Sequence, residues 1–347
     1  MKSRFKIAAL MMVMAISLIS FSGCQESADN TGSVTEEAQT TVQETAVSPE
    51  MQQLKENMKA MMEQGFAVAF DGSMDPITLR NTIQAAQERM AVDPSVSFEA
   101  KKFGEMDAEL CLPENAREDA VIVYVHGGGL ICGDTYSSRG YASMLAVESE
   151  LPVYTFSYRL APEDPFPAGV DDCFEAYKII EAENPDKPIF LIGESGGAYL
   201  SIVTAMKARD EGVRMPAAVI PYSPVIDQSG TLERNRPDCD DFTVTAEGLV
   251  WLADLYVPDV SERTNIYASP YFDDMHDMPP MLLAWNTTET LAVDSEIMVE
   301  KLEAQGIEYQ AKDYPGCFHA FATAGTGTPE SNEILENTIA FMNAHIE

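Results

Sequence analysis

The chain has 347 residues, 46% of them hydrophobic, which is enough to build one large α/β domain. Its formal net charge is -34, from 56 acidic and 22 basic side chains, and that balance argues against nucleic acid or an anionic lipid surface as a partner. The acidity reads as a solvated outer surface and identifies no substrate.

In chain order, Lys2, Arg4 and Lys6 precede the uncharged run Ile7–Phe21, followed by Ser22, Gly23 and Cys24. Basic, apolar and small-residue zones in that order predict a secretory signal over residues 1–23, and the apolar run is short for a membrane span. The small residues ending in Cys24 resemble the lipobox of bacterial lipoproteins. That resemblance implies cleavage before Cys24, lipidation of this cysteine, and an extracytoplasmic protein anchored to the bacterial cell membrane only by that lipid. Plain secretion is the alternative. Removing residues 1–23 takes away Lys2, Arg4 and Lys6 and no acid, moving the charge from -34 to -37. Residues 24–48 are rich in Ser, Thr, Glu, Gln and Ala, with no aromatic, Lys or Arg. They bury too little surface to fold and are expected to form a flexible tether.

The catalytic domain is expected over residues 49–347. Met51, Leu54, Met58, Met61 and Met62 recur at helical spacing, and a second helix is predicted over Pro76–Met90. A methionine stripe is ordinary packing or, ahead of the first strand, part of a lid, so residues 49–94 are read as a helical cap over a pocket. Ser95–Phe103 and Asp107–Leu112 read as a hairpin, with Val121–Val125 and Val153–Ser157 as central strands. A helix over Val170–Glu181, a strand at Ile189–Ile192, a helix from Ser195 to about Arg209 and a strand at Ala217–Tyr222 follow. A polar insertion then runs to about Asp274. Met281–Trp285, a helix from Asp294 to Gln305, Tyr309–Tyr314 and a terminal helix from Glu330 complete the pattern. Such alternation predicts an α/β fold, a mostly parallel sheet with helices on both faces, whose sites lie at the carboxyl ends of strands.

Two strands end there in glycine motifs. Val121–Val125 runs into His126-Gly127-Gly128-Gly129, and Ile189–Ile192 into Gly193-Glu194-Ser195-Gly196-Gly197. The second is G-x-S-x-G, a serine raised on a strand-to-helix turn too tight for flanking side chains. The first presents backbone N–H groups with no side chain in the way. Acyl transfer needs both, a raised nucleophile and donors for the oxyanion it generates, so Ser195 is the expected nucleophile. The chain has 4 histidines, which permits elimination. His126 belongs to the glycine loop, His276 precedes the last-but-one strand and His345 sits on the terminal helix. His319 follows the last strand, where the order serine, acid, histidine puts the base. The acid should follow Met281–Trp285: Glu289 on the loop is preferred. Asp294, placed to cap the next helix, and Asp227, after the preceding strand, are the alternatives. Cys111, Cys132, Cys173, Cys239 and Cys317 show no CxxC pair and fit neither a disulfide framework nor a metal site.

These residues together resemble the hormone-sensitive-lipase-like esterases, a branch of the α/β-hydrolase fold, over about residues 95–347. The likeness rests on the two glycine motifs and on Tyr158-Arg159-Leu160-Ala161-Pro162-Glu163 with Pro165-Phe166-Pro167-Ala168. It continues through Tyr222-Ser223-Pro224, Pro279-Pro280 and Tyr314-Pro315-Gly316-Cys317-Phe318-His319. The resemblance implies Ser195 as nucleophile, His319 as base and Glu289 as acid, with Gly128, Gly129 and Gly196 as oxyanion donors. It also implies an N-terminal helical cap and neither cofactor nor metal. Leu130 stands where the family usually carries an aromatic residue, which implies a reshaped pocket. The expected function is a serine carboxylesterase for short- to medium-chain acyl or acetyl esters of small molecules. The alternative is a non-catalytic small-ligand binding or sensor protein on the same scaffold, distinguished by binding without turnover.

Overall fold

The computed structural model describes residues 47–65, 67–87 and 92–346. The expected signal, Cys24 and the tether up to residue 46 lie outside the described residues. Eight strands, β1 (Val96–Phe103), β2 (Met106–Pro113), β3 (Val121–Val125), β4 (Val153–Phe156), β5 (Ile189–Glu194), β6 (Ala218–Tyr222), β7 (Met281–Trp285) and β8 (Tyr309–Asp313), form one sheet. Their order is β1-β2-β4-β3-β5-β6-β7-β8. β1 pairs antiparallel with β2 and β2 with β4, and every later neighbour is parallel. The register sets Val125 beside Gly193 and Glu194 beside Tyr222, so the ends of β3, β5 and β6 open on one edge.

Central strands are buried on both faces, and β3 divides its side chains accordingly. Val121, Val123 and Val125 pack with Val170, Phe174 and Tyr177 of α4 (Ala168–Glu183) and Tyr199 and Val203 of α5 (Gly196–Glu211). Met298 and Leu302 of α7 (Ala292–Gln305) join that same layer. Ile122 and Tyr124 face the other layer, with Tyr141 and Leu145 of α3 (Thr135–Ser149) and Ile334 and Phe341 of α8 (Pro329–Ala344). The expected α/β architecture, mostly parallel with helices on both faces, is present.

Two helices escape the sequence patterns. α3 buries Thr135, Ser138, Gly140, Tyr141, Ala142, Ser143, Leu145, Ala146 and Ser149, so small residues cover much of its girth and no amphipathic stripe shows. α6 (Ala246–Tyr256) lies inside the polar insertion and starts where the Thr245 side chain accepts from Gly248 N. α7 begins before Asp294, with Leu291 at its N-cap position, which corrects the expected capping role of that aspartate.

Ahead of the sheet stand α1 (Pro49–Glu63) and α2 (Pro76–Gln87); the expected run of α2 to Met90 passes beyond the described residues. Met51 is fully buried against the layer of Ile334, Leu335 and Phe341, with Leu54 and Met58 beside it. Met51, Leu54 and Met58 of the stripe thus pack in the layer of the terminal helix. Phe70, between the two helices, donates its N–H to Thr243 O at 2.8 Å and bridges to Val244, joining the N-terminal segment to the insertion. The cysteines described are free, and all but Cys239 are buried. No helix among the described residues is long and apolar enough to cross a membrane.

Candidate active site

Ser195 terminates β5 with φ 54 and ψ -121, and α5 starts at the next residue. A left-handed serine between strand and helix holds its side chain clear of both, and it makes no capping bond. The turn is closed by backbone contact: a side chain on Gly193 would come within 2.4 Å of Gly197 O, and one on Gly197 within 2.1 Å of Val125 O. That crowding is the physical content of the G-x-S-x-G spacing.

The glycine run forms a second tight turn, in which Gly128 O accepts from Ile131 N at 3.2 Å and Cys132 N at 2.9 Å. Gly128 has φ 105 and Gly129 φ 62. His126 is buried beneath the run, stacked on Tyr158 with ring centroids 4.3 Å apart, and burial lowers its pKa to about 4. It braces the loop as a neutral ring. Arg80 of α2 holds the outer side, donating to Ile131 O at 2.6 Å, Ala161 O at 2.7 Å and the Glu163 carboxylate at 2.8 Å. A side chain at Gly129 would meet Leu252 Cδ2 at 3.0 Å and Phe70 Cδ1 at 3.2 Å, so α6 and the N-terminal segment lie directly over the run.

His319 Nδ1 lies 3.1 Å from Glu289 Oε2, and Glu289 is fully buried. Asp294 is equally buried but engaged elsewhere: Arg234 grips it at 2.6 and 2.8 Å, and it accepts Ile226 N at 2.8 Å. Asp227 accepts from Ser229 N and Leu232 N, both at 2.8 Å. Of the three acids considered, Glu289 is the one in contact with the histidine. His276 pairs with Asp274 on the surface, and His345 bonds Phe341 O.

Ser223 connects these loops to the serine turn. Ser195 N donates to Tyr222 O at 2.9 Å; the next residue, Ser223, donates its hydroxyl to Glu289 Oε2 at 3.0 Å and accepts Ala320 N at 3.3 Å. Sequence reasoning placed Ser223 in a motif without a role, and it missed Arg80 and Asp241 altogether, since their contacts are long-range and carry no local pattern.

Burial alone would depress the His319 imidazole, but the hydrogen bond and charge of Glu289, with Asp241 and Glu194 adding, hold it above its ordinary value. Burial pushes the Glu289 carboxyl up, and its contact with His319 pulls it back. The consistent proton assignment has Nδ1–H donating to the Glu289 carboxylate. Nε2 is then an acceptor, buried and without a hydrogen-bond partner among the described residues. Such a pair can take a proton from a hydroxyl.

The family profile of the alpha/beta hydrolase fold matches residues 122–323. The chain belongs to this family, in its hormone-sensitive-lipase-like esterase branch. It is similar to an esterase of Acinetobacter venetianus, 26% identical over 78% of this chain and 90% of that one. It is also similar to an acetyl-hydrolase of Streptomyces hygroscopicus, 30% identical over 69% and 80%. Among solved structures, an esterase from the bacterial hormone-sensitive lipase family superposes with a TM-score of 0.79 at 27% identity, over 87% of this chain and 100% of the other. By class the protein is a serine carboxylic ester hydrolase.

Proposed function

We propose that the enzyme hydrolyses short- to medium-chain acyl or acetyl esters of small molecules through Ser195, His319 and Glu289. The observation that carries this reading is the buried His319–Glu289 pair with Nε2 unspent, tied by Ser223 to the turn that bears Ser195. His319 Nε2 takes the Ser195 hydroxyl proton as the oxygen attacks the ester carbonyl. The tetrahedral oxyanion is held by N–H groups of Gly128, Gly129 and Gly196, each such donor worth about 3 kcal/mol. The imidazolium, stabilised by Glu289, returns its proton to the departing alcohol oxygen and leaves an acyl-enzyme. Water, deprotonated by the same nitrogen, releases the acid. Leu252 and Phe70 over Gly129 favour a short acyl chain, and the Streptomyces relative is an acetyl-hydrolase.

We also propose an extracytoplasmic address, with Cys24 lipidated and the domain tethered to the bacterial membrane by residues 24–48, on the sequence layout alone. Hydrolysis of p-nitrophenyl esters from acetate to decanoate, by the protein and by Ser195→Ala, tests the chemistry. Turnover lost in the variant and greatest on the shorter esters is expected; a folded protein inactive on the whole series would overturn the reading. Cys24→Ala should move the protein from the membrane to the soluble fraction.

A further inference from the structure

Asp241 lies outside every motif above, yet it stands beside the base. It belongs to the segment between β6 and α6, which is zipped onto the acid loop. Asp240 N donates to Thr288 O at 3.0 Å, and Thr290 N donates to Asp241 Oδ2 at 3.1 Å. The other oxygen is fixed by Thr243 N at 2.9 Å, the Thr243 hydroxyl at 2.7 Å and Val244 N at 3.1 Å. A carboxylate so held cannot swing away. One of its oxygens, one of Glu289 and a ring nitrogen of His319 lie within 4.8 Å of one another.

We propose that Asp241 is a second carboxylate serving the base, a positioning residue that stabilises the imidazolium of His319 as the proton leaves Ser195. The inference rests on the ester-hydrolase reading. In the step itself the proton passes from Ser195 Oγ to His319 Nε2, and both Glu289 and Asp241 remain carboxylates. The groups bearing on the ring are Glu289 from the acid loop, Asp241 from the segment before α6 and Glu194 from the serine turn. Lys55, the cation reaching the histidine loop from α1, is held by Gly316 O at 2.7 Å and Asp240 Oδ2 at 3.3 Å. Glu289 is wholly buried and bonded to His319, whereas Asp241 is partly exposed. Its effect is therefore electrostatic, added to the orienting bond that Glu289 supplies.

The competing account is that Asp241 merely forms the turn over residues 241–244, which an asparagine would also form. Charge separates the two. An opposite charge at this range raises an imidazole by about one pH unit. Asp241→Asn keeps the turn and removes the charge, so the acid limb of kcat/KM should move down by about one pH unit. On the upper plateau kcat should fall roughly threefold with KM unchanged, as a weaker base requires. Asp241→Glu should restore the limb, and Asp240→Asn, whose carboxylate faces Lys55, should leave it in place. Titration of the His319 ring by NMR in the full-length protein gives the same shift without turnover, and Asp241→Ser serves if the asparagine variant does not fold. A limb and a ring titration superimposable on the parent protein would overturn the proposal while Ser195-dependent turnover stood. Loss of that dependence would instead overturn the reading beneath it.

Discussion

Glu194, the residue between Gly193 and Ser195, carries a prediction that can be worked through to a number. Its Oε1 accepts Gly127 N at 2.6 Å, tying the serine turn to the glycine run, while Oε2 is buried without a hydrogen-bond partner among the described residues. Burial raises its pKa from 4.5 to about 7, the Gly127 bond opposing. A folded-state value above the unfolded one means that the native protein holds this proton more tightly. The stabilisation is fully present below about pH 4.5 and is lost as pH rises through 7. The interval corresponds to about 3 kcal/mol. Glu194→Gln preserves an acceptor for Gly127 N and is permanently uncharged. The variant and the parent should therefore match in stability near pH 4.5, and the variant should be more stable by about 3 kcal/mol above pH 8, or roughly 5 °C in Tm. Urea and thermal unfolding of both proteins across that range measures it. A stability difference that does not change with pH would refute the reasoning, because it would mean that Glu194 titrates alike in both states.

Two further substitutions probe the neighbouring contacts. Ser223→Ala removes the buried donor to Glu289 and the part-buried acceptor for Ala320 N, and should lower stability by about 2 kcal/mol. It should also lower kcat roughly tenfold with KM unchanged, since the imidazole is less firmly oriented; a raised KM with intact kcat in steady-state assays would place Ser223 against substrate instead. Leu252→Ala opens the space over Gly129 and should raise the ratio of kcat/KM for octanoate over acetate roughly tenfold. An unchanged ratio on the p-nitrophenyl series would send the acyl chain elsewhere.

What could be read from the sequence divides along a physical line. Gly193 and Gly197 beside Ser195, and Gly127 and Gly128 in the glycine run, are demanded by backbone contacts within a few residues or between adjacent strand ends, such as Gly197 against Val125 O, and these leave a local signature. His319, which the structure pairs with Glu289, could be singled out because chain order restricts the choice. The acid was narrowed but left open, because Glu289 and Asp294 are both buried acids on one short stretch. What separates them is Arg234, which engages Asp294 from a distant loop, and nothing local announces it. α3 escaped because it is buried on too many sides to show a stripe, and α6 because acidic neighbours hide its apolar turns. Ser223, Arg80 and Asp241 act through contacts that exist only after the chain has folded.

Those late-forming contacts converge on one property of the enzyme. Arg80 of α2 grips the glycine run at Ile131 O, and Lys55 of α1 grips the histidine loop at Gly316 O. The segment at 240–244 grips the acid loop at Thr288 and Thr290. The N-terminal segment and the insertion are in turn joined at Phe70, where a side chain on Gly248 would strike Phe70 O at 1.7 Å. The glycine run, the acid loop and the histidine loop are thus each held by contacts from outside the sheet. Displacing these segments would loosen the glycine run, the histidine loop and the acid loop together, which the proposed chemistry needs held in place. On the proposed reading Asp241 bears on the base and Leu252, eleven residues further along the chain, on the acyl group, so one stretch of the insertion would serve both.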